Sequence, residues 1–157
     1  RQIMSSRLRY ASGGALLGLG GLIYLTFRPT TILMFHVADG MGLMPLVTAW
    51  RSWMAACHPA EFWVYSLPGG LWAAAYILLI HGLLSQQSAI LRLSIASSIP
   101  LTGIVSELLQ GLHALPGVFD WSDLLCYTMP LFLLYICEIP KNKTIWQVSL
   151  TASPASN

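Results

Sequence analysis

The sequence predicts an all-α fold: a bundle of four transmembrane helices, with both termini in the cytoplasm and an interfacial or re-entrant segment on the outer side. The 157 residues are 55% hydrophobic and only 9% charged, whereas a soluble domain carries about a quarter charged residues. The mean hydropathy is +0.65. We expect a single bundle over residues 1–139 and a cytoplasmic tail over 140–157, because such a tail is too short to bury a core.

Four apolar windows predict the membrane spans. They cover residues 11–27, 69–85, 89–109 and 123–139, and each meets the roughly 17 to 25 residues that a helix needs to cross the hydrocarbon core. Pro68-Gly69-Gly70 opens the second window, and Pro100 can bend the third. The Ser-rich end of the chain after residue 140 is polar and is predicted to be mostly disordered.

Basic residues set the predicted orientation. Six of them precede the first window, open the third or follow the fourth: Arg1, Arg7, Arg9, Arg92, Lys141 and Lys143. Arg28 and Arg51 lie in the connection between the first two windows and oppose this bias. Because loops rich in Lys and Arg stay in the cytoplasm, we expect both termini inside and a multi-pass membrane protein.

The connection 28–68, called the outer segment below, is apolar rather than hydrophilic. Leu46, Trp50, Trp53, Met54 and Cys57 recur at spacings of three and four, which predicts a short helix with one apolar face lying on the outer leaflet. The alternative is a re-entrant segment over 31–46, broken at Asp39-Gly40, because irregular backbone is tolerated at membrane depth where protein or a water cavity surrounds it.

The stretch "SELLQGLHALPGVFDWSDLL", residues 106–125, contains half of the acidic residues of the chain. With Arg28 it forms the candidate outward polar cluster, whose members are Arg28, Glu107, Gln110, Asp120 and Asp123. Glu107 is costly within an apolar helix, and we interpret it first as a salt bridge to Arg28 and second as part of a functional site. Asp120 and Asp123 are expected to cap the next helix.

Several classes of site are disfavoured. Cys57, Cys126 and Cys137 form no CxxC pair, so neither a disulfide framework nor a zinc site is indicated. We expect no metal and no cofactor. We also expect no direct contact with nucleic acid, because the net charge is +2 and no basic run is dense enough to follow a phosphate backbone. No nucleophile is paired with a base.

The first window suggests an oligomer. Gly14, Gly18 and Gly21 lie on one helix face, and Gly14 to Gly18 is a GxxxG step that lets two helices approach closely. Small residues in the third window, Ser94, Ala96, Ser97 and Ser98, add to this prediction. We expect a homo-oligomer in the lipid bilayer.

The hairpin resembles that of the VanZ-like small bacterial membrane proteins. Glu107 and Gln110 match the ExxQ part of that family's motif, and Phe119, Asp120 and Asp123 match its FDxxD part. The sequence departs from the motif at three positions: Gly117, Tyr127 and Pro130 stand where the family has arginine, asparagine and glycine. The resemblance implies a bacterial inner-membrane protein linked to envelope function or glycopeptide resistance. In size and four-helix layout the chain is also similar to the membrane subunit of the Kiwa antiphage system, which partners with a soluble protein.

Three functional hypotheses follow. The first is a non-enzymatic, oligomeric membrane subunit that senses or binds an envelope component and anchors a soluble cytoplasmic partner, a role that would suit antiphage defence. The second is a VanZ-like envelope or antibiotic-resistance factor that uses Glu107, Asp120 and Asp123 as acid, base or cation ligands. The third is a small channel or transporter, suggested by the short polar stripe Ser94, Ser97, Ser98 and Thr102.

Overall fold

The computed structural model describes the backbone of residues 5–151 and the side chains of residues 5–137. This part of the chain contains helices and no strand, as predicted. The helices are α1 (Ser6–Phe27), α2 (Leu33–Gly40), α3 (Met44–Trp53), α4 (Glu61–Tyr65), α5 (Leu67–Leu83), α6 (Ala89–Gly111) and α7 (Trp121–Thr151), with a 3₁₀ turn at Met54–Ala56.

Polar side chains mark where the long helices begin. The Ser5 hydroxyl accepts the backbone N–H of Leu8 at 3.4 Å, and the Ser88 hydroxyl accepts that of Leu91 at 3.3 Å. These are N-caps, which satisfy donors that a helix start leaves free. Pro68 lies in the first turn of α5, where a missing N–H costs nothing.

Three helices of the described chain are long and apolar enough to cross a membrane. They are Ser6–Phe27, the nearly continuous Glu61–Leu83 formed by α4 and α5, and Ala89–Gly111. The described side chains of α7 add a shorter apolar helix, Trp121–Cys137. The chain is therefore a helical membrane protein, and the fourth span and the orientation of the termini remain predictions.

Helix α7 is longer than its apolar window. The sequence predicts disorder after residue 140, but the backbone is helical as far as Thr151. The stretch "KTIWQVSL" contains neither Gly nor Pro, so no strong helix breaker ends the helix there. Residues 152–157, the rest of the predicted tail, lie outside the described residues.

Helix α5 is the centre of the bundle, with α1, α6 and α7 packed around it. Its contact with α1 is close because of two glycines. A Cβ atom at Gly13 would lie 2.9 Å from Leu79 Cγ, and one at Gly20 would lie 2.5 Å from Trp72 Nε1. On the other side of α5 a small core forms from Ile77, Ala96, Leu131 and Leu134.

The outer segment folds back over the end of α1. Trp50 Nε1 donates to Thr26 Oγ1 at 2.8 Å, and Arg51 Nη1 donates to the carbonyls of Leu25 at 2.7 Å and Arg28 at 3.0 Å. Arg51 thereby satisfies carbonyls that the end of α1 leaves without helical partners.

The local structure of the outer segment matches the sequence patterns. The helix predicted around 45–57 is present as α3 and the following turn, and its apolar face is exposed at Leu46 and Trp53. The break predicted at Asp39-Gly40 is also present, because α2 ends at Gly40 and Gly42 has a φ of +70°. The depth of the outer segment in the membrane remains a prediction.

Candidate functional site

The side chain of Tyr127 in α7 fills the space between three helices. A Cβ atom at Gly103 of α6 would lie 2.7 Å from the Tyr127 ring, and one at Gly69 of α5 would lie 2.9 Å from its hydroxyl oxygen. Only glycine lets the two helices approach the ring this closely. Tyr127 of α7 therefore lies at the same height in the bundle as Gly103 of α6 and Gly69 of α5, and the heights of neighbouring residues follow from these three.

The helix directions place Glu107 and Asp123 together, one turn beyond Tyr127. Helices α6 and α7 are antiparallel, because Gly103 contacts Tyr127 whereas Ser97 lies 3.4 Å from the hydroxyl of Tyr135. Moving four residues forward from Gly103 and four back from Tyr127 reaches Glu107 and Asp123 on the facing sides. We call Glu107, Asp120 and Asp123 the acid cluster.

Glu107 is buried in the acid cluster with only 6% of its surface exposed. Its Oε2 atom accepts the backbone N–H of Asp120 at 3.3 Å. The carboxylates of Asp123 and Asp120 are close enough to act on it electrostatically, and no basic group of the described residues contributes to its environment. Glu107 therefore has two acidic neighbours at a position where an isolated carboxylate is already costly to bury.

The two aspartates differ in role. Asp120 Oδ1 accepts the N–H of Ser122 at 2.7 Å, and the Asp120 carbonyl accepts that of Leu124 at 3.1 Å. Asp120 is thus the N-cap of α7, as predicted. Asp123 lies in the first turn of α7, as predicted, but its Oδ1 atom is buried and has no hydrogen-bond partner, so that atom makes no capping hydrogen bond. Its position inside the first turn directs it at α6 instead.

Ser66 lies near the level of the acid cluster, on the face of its helix that packs against α7, and the sequence patterns did not single it out. Ser66, Gly70, Ala73 and Ile77 are buried along one stripe of the Glu61–Leu83 helix. Gly70 packs on Cys126 of α7, and α5 and α7 run parallel, so Ser66 lies at the level of Asp123. Ser66 is 2% exposed and its Oγ atom has no partner. The sequence signal that could have identified Ser66 is its position one helical turn before Gly70.

Gln110 shares the end of α6 with Glu107 but turns to its own helix and loop. Its Nε2 atom donates to Ser106 Oγ at 3.4 Å. A Cβ atom at Gly117 would lie 2.7 Å from the Gln110 amide, and Gly117 has a φ of +139°. The arginine that the VanZ-like motif has at this position would be strained here, because L-residues rarely adopt such a backbone conformation.

Arg28 does not reach the acid cluster, and the predicted salt bridge to Glu107 is wrong. Its guanidinium lies over the rings of Tyr24 at 5.1 Å and Tyr65 at 4.5 Å, and Nη2 donates to the Tyr65 carbonyl at 3.5 Å. The reason is the order of the helices: α1 packs against α5, whereas α6 packs on α5 and α7. Cation–π contacts replace the ion pair.

The glycine face predicted for oligomer packing points away from the chain itself. Gly14, Gly18 and Gly21 have open space where a Cβ atom would lie, whereas Gly13 and Gly20 carry the contact with α5. The structure thus separates a face used within the bundle from a face free for another molecule.

The polar stripe of α6 is used for packing. Tyr76 Oη lies 2.9 Å from Ser98 Oγ and donates to the Ile95 carbonyl at 2.9 Å. Thr102 Oγ1 donates to the Ser98 carbonyl at 2.8 Å. The Tyr76 hydroxyl thus joins α5 to α6, as is common in membrane bundles, whereas the Thr102 hydroxyl bonds within α6. Among the described residues, no group of three or more His, Cys, Asp or Glu side chains could hold a metal ion.

Function is best inferred from the acid cluster, because it brings ionisable groups together inside a membrane bundle. Comparison with known proteins adds no family: no protein-family model, curated protein or solved structure matches this chain.

Proposed function

We propose that this chain is a multi-pass protein of a bacterial inner membrane that binds a component of the cell envelope at the acid cluster and catalyses no reaction. One observation carries the proposal: Glu107 is a nine-tenths buried carboxylate in a helix able to span a membrane, beside Asp120 and Asp123 and without a basic partner among the described residues. Ionisable residues inside membrane segments usually mark binding or transfer sites.

The proposal explains why such an unfavourable group is kept. One backbone N–H from Asp120 compensates Glu107 only in part, and burial of charge without compensation costs several kcal/mol, on the order of the whole margin of stability. A bound ligand supplies the missing partner. With both termini in the cytoplasm, the acid cluster faces outward, toward envelope components.

We further propose that the protein acts as a homo-oligomer. The support is the open face of Gly14, Gly18 and Gly21, beside the half-exposed Leu17. Helices in lipid associate through small residues, since apolar burial alone supplies no drive between them.

The experiment is purification of the tagged chain from a bacterial host in mild detergent, followed by native mass spectrometry. The wild type is expected to retain a small envelope molecule that Glu107→Gln loses. Asp39→Asn is the matched control, because Asp39 is an exposed carboxylate in the outer segment. Equal retention by wild type and Glu107→Gln would contradict the proposal. The same spectra give the copy number and reveal any soluble partner.

A second candidate is the VanZ-like envelope factor that uses the same carboxylates as acid and base. It is favoured by the proximity of Glu107 to Asp120 and Asp123, since adjacent carboxylates with different surroundings can divide those roles. A chemically altered product of the retained molecule, formed by the wild type and not by Glu107→Gln, would favour this candidate over simple binding.

A further inference from the structure

Three polar groups at the acid cluster have acceptor capacity to spare. The Glu107 carboxylate accepts the backbone N–H of Asp120 at Oε2 and can accept further hydrogen bonds, whereas Asp123 Oδ1 and Ser66 Oγ are buried without a hydrogen-bond partner. The helix directions place all three at one level, between α5, α6 and α7. A buried hydroxyl and a buried carboxylate oxygen without partners each cost free energy, so their placement at one level of the bundle points to a missing donor.

We infer that the missing donor is a protonated primary amine, bound between Glu107, Asp123 and Ser66. This inference rests on the proposed function and names the chemical class of its ligand. An ammonium group has three N–H donors and one positive charge. It would match three acceptors and offset the negative charge of the cluster, with the Tyr127 ring and hydroxyl one turn deeper.

The composition of the site favours an amine over a metal ion. Divalent cations such as Ca²⁺ take roughly six to eight oxygen ligands, and Mg²⁺ takes about six, whereas the described residues contain no group of three or more His, Cys, Asp or Glu side chains that could hold a metal ion. The unpartnered groups include the Ser66 hydroxyl, which hydrogen-bonds well to an N–H donor. The amine can arrive on a lipid headgroup or as a free molecule, since both carry the same ammonium chemistry.

The test is titration of the detergent-solubilised full chain with short-chain phosphatidylethanolamine, read by native mass spectrometry and thermal denaturation. We expect saturable binding of the lipid. Glu107→Gln should weaken it roughly tenfold or more, and Ser66→Ala roughly threefold to tenfold, the effects of losing a charged and a neutral hydrogen bond. Asp39→Asn should bind as the wild type does. Ser66→Ala is the second variant if Glu107→Gln fails to fold.

Phosphatidylcholine is the decisive control, because its ammonium carries the charge but no N–H donor. Binding of phosphatidylcholine as tight as that of phosphatidylethanolamine would overturn the inference, and so would failure of both phosphatidylethanolamine and free ethanolamine to bind. Tight binding of free ethanolamine would support it and identify a soluble source. Stabilisation by Mg²⁺ or Ca²⁺ without any by amines would overturn it.

The two proposals fail differently. If wild type retains an envelope molecule that Glu107→Gln loses, but that molecule contains no amine, the proposed function stands and this inference fails. If Glu107→Gln retains everything that the wild type retains, both fail.

Discussion

At the scale of single residues, Arg51 connects the outer segment to the end of α1. Its guanidinium donates to two carbonyls at the end of α1, Leu25 and Arg28, and lies 5.3 Å from the centre of the Phe35 ring. One side chain thus joins α1, α2 and α3. Sequence patterns count Arg51 only as a charge against the orientation, because its carbonyl partners are backbone groups that leave no mark in the sequence.

We predict that Arg51→Ala frees the outer segment while the bundle stays folded. Hydrogen bonds from a charged donor contribute about 1.5 to 3 kcal/mol each, so residues 33–57 should exchange amide hydrogens and be cut by protease much faster than in the wild type. Hydrogen exchange followed by mass spectrometry measures this. Arg7→Ala, which changes an exposed arginine of α1, is the control. Unchanged protection of 33–57 would show that other contacts hold the segment.

At the scale of helices, α1 has two glycine faces with separate roles. Gly13 and Gly20 lie against α5, whereas Gly14, Gly18 and Gly21 have no described atom within 4 Å of an added Cβ. The sequence indicates a glycine-rich helix that packs closely, but a glycine has no side chain to show which way it faces. Only the position of Leu79 and Trp72 on α5 distinguishes the faces.

We predict that Gly20→Leu lowers the stability of the monomer and that Gly18→Leu weakens the oligomer. At Gly20 the new side chain would enter the space of the Trp72 indole, and overpacking of this kind costs about 1 to 3 kcal/mol, so the thermal midpoint of the monomer should fall. At Gly18 there is open space, so the thermal midpoint of the monomer should not change. The new side chain should instead weaken the oligomer, which would then dissociate at a higher protein concentration than the wild type does. Thermal denaturation and native mass spectrometry separate the two effects. An unchanged oligomer in Gly18→Leu would remove this face from the interface.

Helix packing also shows how much of the site the sequence could predict. Hydropathy and capping patterns place Glu107 and Asp120 near the same end of adjacent helices, and the structure joins them by a hydrogen bond. The same patterns pair Glu107 with Arg28, which lies across α5 instead. A linear sequence tells which helix ends share a level, but the lateral order of helices depends on packing at residues such as Gly69 and Gly103.

At the scale of the whole molecule, the orientation decides what the acid cluster can meet. The exposed Cys57 lies in the outer segment, at the same end of the bundle as the start of α5. The connection between α5 and α6 lies at the other end, where Gln86 is exposed. The two positions are therefore suited to a labelling test of the predicted topology.

We predict that a membrane-impermeant maleimide labels Cys57 in intact cells. In a chain whose native cysteines are replaced, Gln86→Cys should react only after the membrane is permeabilised, since basic residues keep that connection inside. Mass shift on a gel measures both. Labelling of Gln86→Cys but not of Cys57 in intact cells would invert the orientation and place the acid cluster on the cytoplasmic side.

The Tyr127 side chain, which lies between Gly69 and Gly103, closes the inner side of the acid cluster. The ring and hydroxyl of Tyr127 fill space that the two glycines open between α5 and α6 at that level, so a ligand bound at Glu107 as proposed would meet this side chain before it could move further along these helices. We expect such a ligand to leave by the side from which it came. Its occupancy would then follow its concentration on one face of the membrane, which suits the proposed binding role better than transport.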